Sequence, residues 1–195
     1  MYDYFQGQVV AKTPTLVVVE VAGVGYRAEV SLRTSERLPS VGSPTRMWAY
    51  VKMHEDKPRL FGFVDEDERD LFLALQTVAG IGPSHGLALL SGYEPNEIWE
   101  RIRDQDAKGL ARTKGIGPKI AQRACIELKD KALRHIAAAA APDRPLANSV
   151  DDATSALLVL GYTEAQARKA TDKAAGSLPA DAPLEDLVRE ALQNT

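Results

Sequence analysis

Hydrophobic and polar residues alternate along the first third of the chain and recur at helical spacing along the rest. Over residues 1–64, turn residues separate short runs rich in Val, Tyr, Trp and Phe, a composition typical of strands. Because no helix-length segment interrupts these runs, they predict a small five-stranded antiparallel barrel, of either the OB-fold or the SH3-like kind. The predicted strands span 5–11, 16–21, 25–31, 46–54 and 60–64.

From Asp65 onward the apolar positions follow the period of an α-helix. Acidic residues at 65–68 suit the first turn of a helix, because the positive end of the helix dipole attracts carboxylates. The pattern predicts a compact all-α domain over residues 65–136. Its predicted helices span 71–78, 84–90, 95–103, 107–113 and 118–136.

An alanine run followed by Pro142 and Pro145 predicts a flexible linker over residues 137–149, although the alanines also allow the preceding helix to continue. Residues 150–195 return to a helical pattern and predict a small three-helix domain. Such a small unit cannot bury all of its large apolar residues, so we expect some of them to face a protein partner.

Composition is that of an ordinary globular protein, with 45% hydrophobic and 26% charged residues among 195. The apolar runs are too short to cross a membrane, and the N-terminus lacks the layout of a secretion signal, so we expect a cytoplasmic protein. The single cysteine, Cys125, excludes an intramolecular disulfide. The three histidines lack metal-ligand spacing and there is no nucleotide-binding phosphate loop, so we expect no metal, no cofactor and no catalytic site.

Charge is uneven along the chain, although the whole chain has a net charge of −3. Residues 108–134 have a net charge of +6, which suits a polyanion such as DNA. A solvated helix face would give the same pattern. The cations are Lys108, Arg112, Lys114, Lys119, Arg123, Lys129, Lys131 and Arg134.

An internal repeat is the strongest signal. The sequence Gly-Ile-Gly-Pro occurs at residues 80–83 and again, 35 residues later, at 115–118. Each copy follows one predicted helix and begins another, the layout of a helix-hairpin-helix motif. Glycine permits a tight hairpin, and proline suits the first turn of a helix, where its missing amide has no partner.

The free amides at such a helix start, together with the helix dipole, can bind a phosphate oxygen without reading the base sequence. Two copies would hold the DNA backbone at two points. The candidate DNA-binding residues are Gly80, Ile81, Gly82, Ser84 and His85 in the first copy, and Lys114, Gly115, Ile116, Gly117, Lys119 and Arg123 in the second.

The chain resembles the RuvA family, the subunits of the bacterial branch-migration complex that bind Holliday junctions. The resemblance covers essentially the whole chain and is most specific at 54–63, 78–83, 114–119 and 127–131. It implies an OB-fold barrel, a homotetramer and a mobile third domain that contacts RuvB, a hexameric ATPase motor. It also implies binding to four-way junction DNA during recombination and repair, with the RuvC resolvase as a further candidate partner. Whether one tetramer or two face-to-face tetramers hold the junction stays open.

The resemblance gives roles to individual residues. Glu55 and Asp56 match an acidic pin, which repels phosphates at the junction centre and keeps the arms apart. Ser84 stands where the family usually has lysine, so we expect the first hairpin to bind phosphate less strongly than the second. The candidate RuvB contacts are Leu157, Leu160, Tyr162, Leu184 and Leu187.

Two other functions fit parts of the pattern. A helix-hairpin-helix DNA glycosylase would be largely helical and would need a catalytic aspartate, but the first third is β-rich and Asp130 lies on a charged helix that looks solvated. A single-strand binder would use aromatic residues on the barrel surface, where the sequence offers few. We therefore expect a non-catalytic, structure-selective DNA-binding subunit.

Overall fold

The structure is a computed structural model that describes residues 2–54, 57–139, 149–179 and 182–194. The chain divides into two compact units, residues 1–140 and residues 141–195. The first unit contains a barrel and a helical domain, and the described residues of the second form three helices. This is the predicted architecture of an OB-like barrel, a central helix-hairpin-helix domain and a small C-terminal helical domain, which is confirmed.

Five strands form a closed barrel in the order β1-β2-β3-β5-β4. Neighbouring strands are antiparallel except β3 and β5, which are parallel and meet at Glu29 and Phe61. This order is that of an OB-like barrel and decides between the two barrel types that the sequence left open. The strands are β1 (Tyr4–Thr13), β2 (Leu16–Val21), β3 (Val24–Glu29), β4 (Pro44–His54) and β5 (Lys57–Phe63).

A short helix that the sequence pattern did not predict follows β3. Helix α1 (Leu32–Arg37) has only six residues, and Ser31 caps its N-terminus by accepting a hydrogen bond from the Thr34 amide. The expectation of an uninterrupted run of strands was therefore wrong here. Six residues are too few to show a helical period, and the helix forms because tertiary contacts stabilise it.

One of these contacts involves Glu68, a residue in the first turn of helix α2 (Glu66–Gln76). Its side chain is buried and hydrogen-bonded to α1. Its carboxylate accepts hydrogen bonds from the Thr34 hydroxyl and from the Val64 amide. Burial raises the pKa of the Glu68 carboxyl above its ordinary value. This buried carboxylate joins the barrel to the helical domain.

The central domain contains six helices instead of the five predicted, and one continuous apolar core joins them to Phe61 and Phe63 of the barrel. Asp65 caps α2 by accepting a hydrogen bond from the Glu68 amide, as its acidic first turn predicts. The helices after α2 are α3 (Pro83–Gly92), α4 (Pro95–Arg103), α5 (Ala107–Leu110), α6 (Pro118–Glu127) and α7 (Lys129–Ala139).

The helix predicted over 118–136 is two helices that meet at Leu128. The Leu128 backbone (φ −102°, ψ 3°) departs from helical geometry, while its side chain is buried in the core. The side-chain amide of Gln105 donates to the Cys125 carbonyl at 2.8 Å, so that a distant residue pairs with a carbonyl at the end of α6. Helix α7 then continues through Ala139, into the segment predicted as a linker, and residues 140–148 lie outside the described residues.

The C-terminal unit packs helices α8 (Ser149–Val159), α9 (Glu164–Ser177) and α10 (Leu184–Gln193) around a small core. Thr163 and Gln166 form a capping box at the start of α9. Gly161, with a φ of 96°, lies in the turn between α8 and α9. Alanines form most of the buried core, so this unit depends on a few large side chains for its stability.

Candidate nucleic-acid interface

The two Gly-Ile-Gly-Pro segments form the same turn. Gly80 has a φ of 99° and Gly115 a φ of 89°, a region that residues with a side chain rarely adopt. In both turns the isoleucine amide, Ile81 or Ile116, donates to the carbonyl three residues earlier at 3.0 Å. The two hairpins are therefore repeated structures as well as repeated sequences.

The second glycine of each motif caps the helix that follows. Gly82 precedes α3 and Gly117 precedes α6, both in extended conformation, and neither helix has a side-chain cap. Because proline occupies the first helical position, the amides of Ser84 and Lys119 are the first donors of the two helices. A β-carbon on either capping glycine would have no neighbour within 4 Å. Open space therefore lies in front of both helix starts, where an anion could approach.

The isoleucine side chains point into the protein. Ile81 is 4% exposed and Ile116 is 3% exposed, and both belong to the central core. Of the candidate DNA-binding residues, these two can therefore contact a ligand through their backbones only. Their side chains anchor the hairpins to the core.

The two hairpins pack against each other through their glycines. His85, in the first turn of α3, lies against Gly115, and Ile120, at the corresponding position of α6, lies against Gly80. Nδ1 of His85 also lies 3.0 Å from the carbonyl oxygen of Gly80. The sequence singled out His85 but not Ile120, because only the fold shows that the two positions are related by the repeat.

Positive charge is concentrated on the second hairpin. Lys114 and Lys119 are exposed, and neither forms an ion pair with any described residue. Ser84, at the position that corresponds to Lys119, is exposed and uncharged. Arg123 donates to the Ala79 carbonyl at 3.1 Å and lies 3.7 Å from the Glu127 carboxylate. Arg123 therefore links the second hairpin to the first, in addition to its predicted contact with DNA.

The remaining cations of residues 108–134 lie before and after the second hairpin along the chain. All of them are exposed, on α5, on α7 or between α5 and the second hairpin, as a solvated or DNA-facing surface requires. Residues 55 and 56, the predicted acidic pin, lie outside the described residues; the neighbouring His54 and Lys57 pair across the β4–β5 hairpin. The exposed cations are Lys108, Arg112, Lys129, Lys131 and Arg134.

The structure separates the candidate RuvB contacts into core and surface residues. Leu157 and Leu187 are buried, while Tyr162 and Leu184 are half-buried against the same core. Leu160 is 59% exposed. Its neighbours Leu158 and Val159 are 42% and 88% exposed. Val159 was not among the predicted contacts, because the helical pattern does not show which positions near the end of α8 stay uncovered. We call residues 158–160 the apolar patch.

The described residues show neither a metal-binding cluster nor an exposed thiol. No group of three His, Cys, Asp or Glu side chains within it is placed to hold a metal ion. Cys125 is buried, and burial raises the pKa of its thiol, so it packs in the core as a small apolar residue. No described helix has the length and apolar character needed to cross a bilayer.

Most of the chain matches models of known protein families. Residues 1–62 match the RuvA N terminal domain, and residues 148–194 match the RuvA C-terminal domain. Residues 72–130 match a SAM-like helix-hairpin-helix tandem, which contains both Gly-Ile-Gly-Pro segments.

Full-length relatives show the same similarity. The Holliday junction branch migration complex subunit RuvA of Prosthecochloris aestuarii is 38% identical over 203 residues, covering 100% of this chain and 98% of that protein. The corresponding subunit of Chlorobaculum parvum is 39% identical, covering 98% and 97%. That of Acidobacterium capsulatum is 40% identical, covering 89% and 88%.

Proposed function

This chain belongs to the RuvA family, and from that premise we propose that it binds four-way DNA junctions and presents them to the RuvB motor for branch migration. The observation that carries the proposal is the pair of uncapped helix starts at Gly82 and Gly117, each with open space in front of it. Each start offers backbone amides and a helix dipole to one phosphate oxygen. Such contacts recognise the shape of the backbone and do not read base sequence.

The two helix starts act together because the hairpins interlock. With His85 packed on Gly115 and Ile120 on Gly80, the spacing of the two phosphate sites is fixed before DNA binds. Preorganised contacts of this kind bind more tightly than contacts that must be ordered on binding. Lys114 and Lys119 add the salt-dependent attraction, which is concentrated on the second hairpin.

The acidic pin would keep the arms of the bound junction apart. Glu55 and Asp56 would repel phosphates at the junction centre, so that the arms separate and strands can exchange partners. In a homotetramer with four-fold symmetry, four such pairs would surround the centre. Replacing both residues, Glu55→Gln with Asp56→Asn, should leave junction affinity nearly unchanged, because the pin guides strands instead of holding them.

The C-terminal unit would contact RuvB, with Leu160 and its neighbours in the apolar patch as the accessible residues. The chain would serve as the non-catalytic subunit of a cytoplasmic recombination and repair complex, without a cofactor of its own. The RuvC resolvase is a further candidate partner.

A binding experiment tests the proposal directly. The chain is titrated against a fluorescent four-way junction and against a linear duplex of equal length and sequence, over a range of salt concentrations. We expect a strong preference for the junction and an affinity that falls steeply with salt. Equal affinity for the two DNAs would reject the proposal, and a weak salt dependence would reject phosphate binding as its basis.

A further inference from the structure

Lys52 is a half-buried lysine on β4, and its hydrogen-bond partner among the described residues is uncharged. Its Nζ donates to the side-chain oxygen of Gln76 at 3.0 Å, and no described carboxylate forms an ion pair with it. Gln76 is the last residue of α2, four residues before Gly80. A cation therefore lies beside the chain segment that leads into the first hairpin.

The strand and the helix run side by side in the same direction. Three contacts join them in sequence order along both elements, so their carboxyl ends lie together. Beyond these ends, β4 leads into the predicted pin at residues 55–56 and α2 leads into the first hairpin. The contacts pair Trp48 with Arg69, Tyr50 with Phe72, and Lys52 with Gln76.

We propose that Lys52 is a DNA-backbone contact contributed by the barrel, which binds a phosphate beside the first hairpin. It would supply the positive charge that this hairpin lacks at Ser84, where the second hairpin has Lys119. This inference rests on the proposed function. Because Lys52 is half-buried and hydrogen-bonded to a neutral amide, its charge is held in place without being cancelled, and reduced solvation strengthens its attraction to an anion.

Gln76 is suited to hold the lysine in this position. Its amide nitrogen is buried and has no hydrogen-bond partner, while its oxygen faces the ammonium group. The opposite amide orientation would place a donor against the lysine. The Gln76 side chain is therefore fixed by Lys52, and the lysine is positioned before any ligand arrives.

Lys12 provides a matched control on the same barrel. It is also half-buried and also donates to a neutral oxygen, the Leu38 carbonyl, at 2.6 Å. Strand β1 pairs with β4 from Tyr4 opposite Trp48 to Gln8 opposite Pro44, so Lys12 lies beyond the start of β4. It is thus at the end of the barrel opposite Lys52 and away from the first hairpin.

The experiment measures junction affinity over a salt gradient for the full chain and for Lys52→Gln, Lys52→Arg and Lys12→Gln. For Lys52→Gln we expect the fall of log affinity with log salt to become less steep, by about 0.9 for each contacting subunit. Lys52→Arg should keep most of the slope because it keeps the charge, and Lys12→Gln should match the unmodified chain. Thermal unfolding of each variant verifies that it is folded.

An unchanged slope in Lys52→Gln, or an equal decrease in Lys12→Gln, would overturn this inference. The variant Lys119→Gln distinguishes that failure from failure of the proposed function. If Lys119→Gln lowers the slope and Lys52→Gln does not, the hairpins bind DNA and the barrel lysine does not. If the unmodified chain does not prefer a junction to a duplex, the proposed function itself is rejected.

Discussion

The imidazole ring of His85 occupies the space in which a β-carbon on Gly115 would lie. Such an atom would come within 2.7 Å of Cδ2 and 2.8 Å of Nε2. The reciprocal contact is looser, since a β-carbon on Gly80 would lie 3.3 Å from Ile120. The turn of the second hairpin therefore requires glycine at position 115 for two reasons. One is the positive φ of this residue, and the other is its contact with the first hairpin.

Substitution by alanine should consequently have different effects at the two glycines of the second hairpin, on stability at Gly115 and on DNA binding at Gly117. We expect Gly115→Ala to lower the free energy of unfolding by about 1–3 kcal/mol, because alanine is strained at positive φ and its methyl group would displace His85. Gly117→Ala has open space and an ordinary φ of −79°, so it should cost less than about 1 kcal/mol. Its methyl group would instead lie where the phosphate approaches, and junction affinity should fall about tenfold. Urea unfolding and junction titration measure the two effects.

The matched pair in the first hairpin serves as the control. Gly80→Ala and Gly82→Ala should show the same division between stability and binding. If Gly117→Ala binds the junction as well as the unmodified chain does, the uncapped helix start is not the phosphate site.

The difference between Ser84 and Lys119 predicts unequal hairpins. We expect Lys119→Ser to make the fall of log junction affinity with log salt less steep, by about 0.9 per contacting subunit. Ser84→Lys should make it steeper by a similar amount. Both side chains are exposed, so neither substitution should change stability by more than about 0.5 kcal/mol. The double variant should restore the original slope. A chain whose slope is unaffected by either change would contradict a phosphate contact at this helical position.

The sequence predicted the features that depend on local patterns. Alternation identified the barrel strands, and glycine and proline spacing identified both hairpins, because turn conformation and helix starts are encoded by neighbouring residues. It did not predict α1, whose stability depends on Glu68, more than thirty residues away. Nor did it predict the break at Leu128, where Gln105 binds the carbonyl of Cys125.

The candidate site was predictable as a motif but not as an assembly. The repeat revealed which glycines matter, while the packing of His85 on Gly115 and the contact of Arg123 with Ala79 appear only when the two hairpins are brought together. Lys52 carried no signal at all in the sequence. Its proximity to the first hairpin follows from how α2 packs on the barrel.

The buried carboxyl of Glu68 should make stability depend on pH. Since burial raises its pKa, the folded chain keeps the proton at pH values where the unfolded chain has lost it. The free energy of unfolding should therefore decrease as pH rises from the ordinary value of 4.5 through the raised pKa. In Glu68→Gln this contribution should disappear. Urea unfolding of both chains between about pH 4.5 and about pH 8 measures it.

A second substitution separates charge from hydrogen bonding at this position. Glu68→Leu removes the acceptor for the Thr34 hydroxyl and the Val64 amide, and should be about 1–3 kcal/mol less stable than Glu68→Gln at any pH, because neither variant side chain titrates. Parallel pH profiles for the unmodified chain and Glu68→Gln would show that Glu68 is not the group responsible.

In the C-terminal unit, neighbouring leucines should have opposite roles. Leu157 is fully buried, so Leu157→Ala should destabilise the unit by about 2–5 kcal/mol. Leu160 is exposed, so Val159→Ser combined with Leu160→Ser should leave melting and junction affinity unchanged while reducing stimulation of the RuvB ATPase about tenfold or more. Deletion of residues 143–195 should abolish stimulation and preserve junction binding. A folded double-serine variant that stimulates the motor fully would show that RuvB contacts a surface other than the apolar patch.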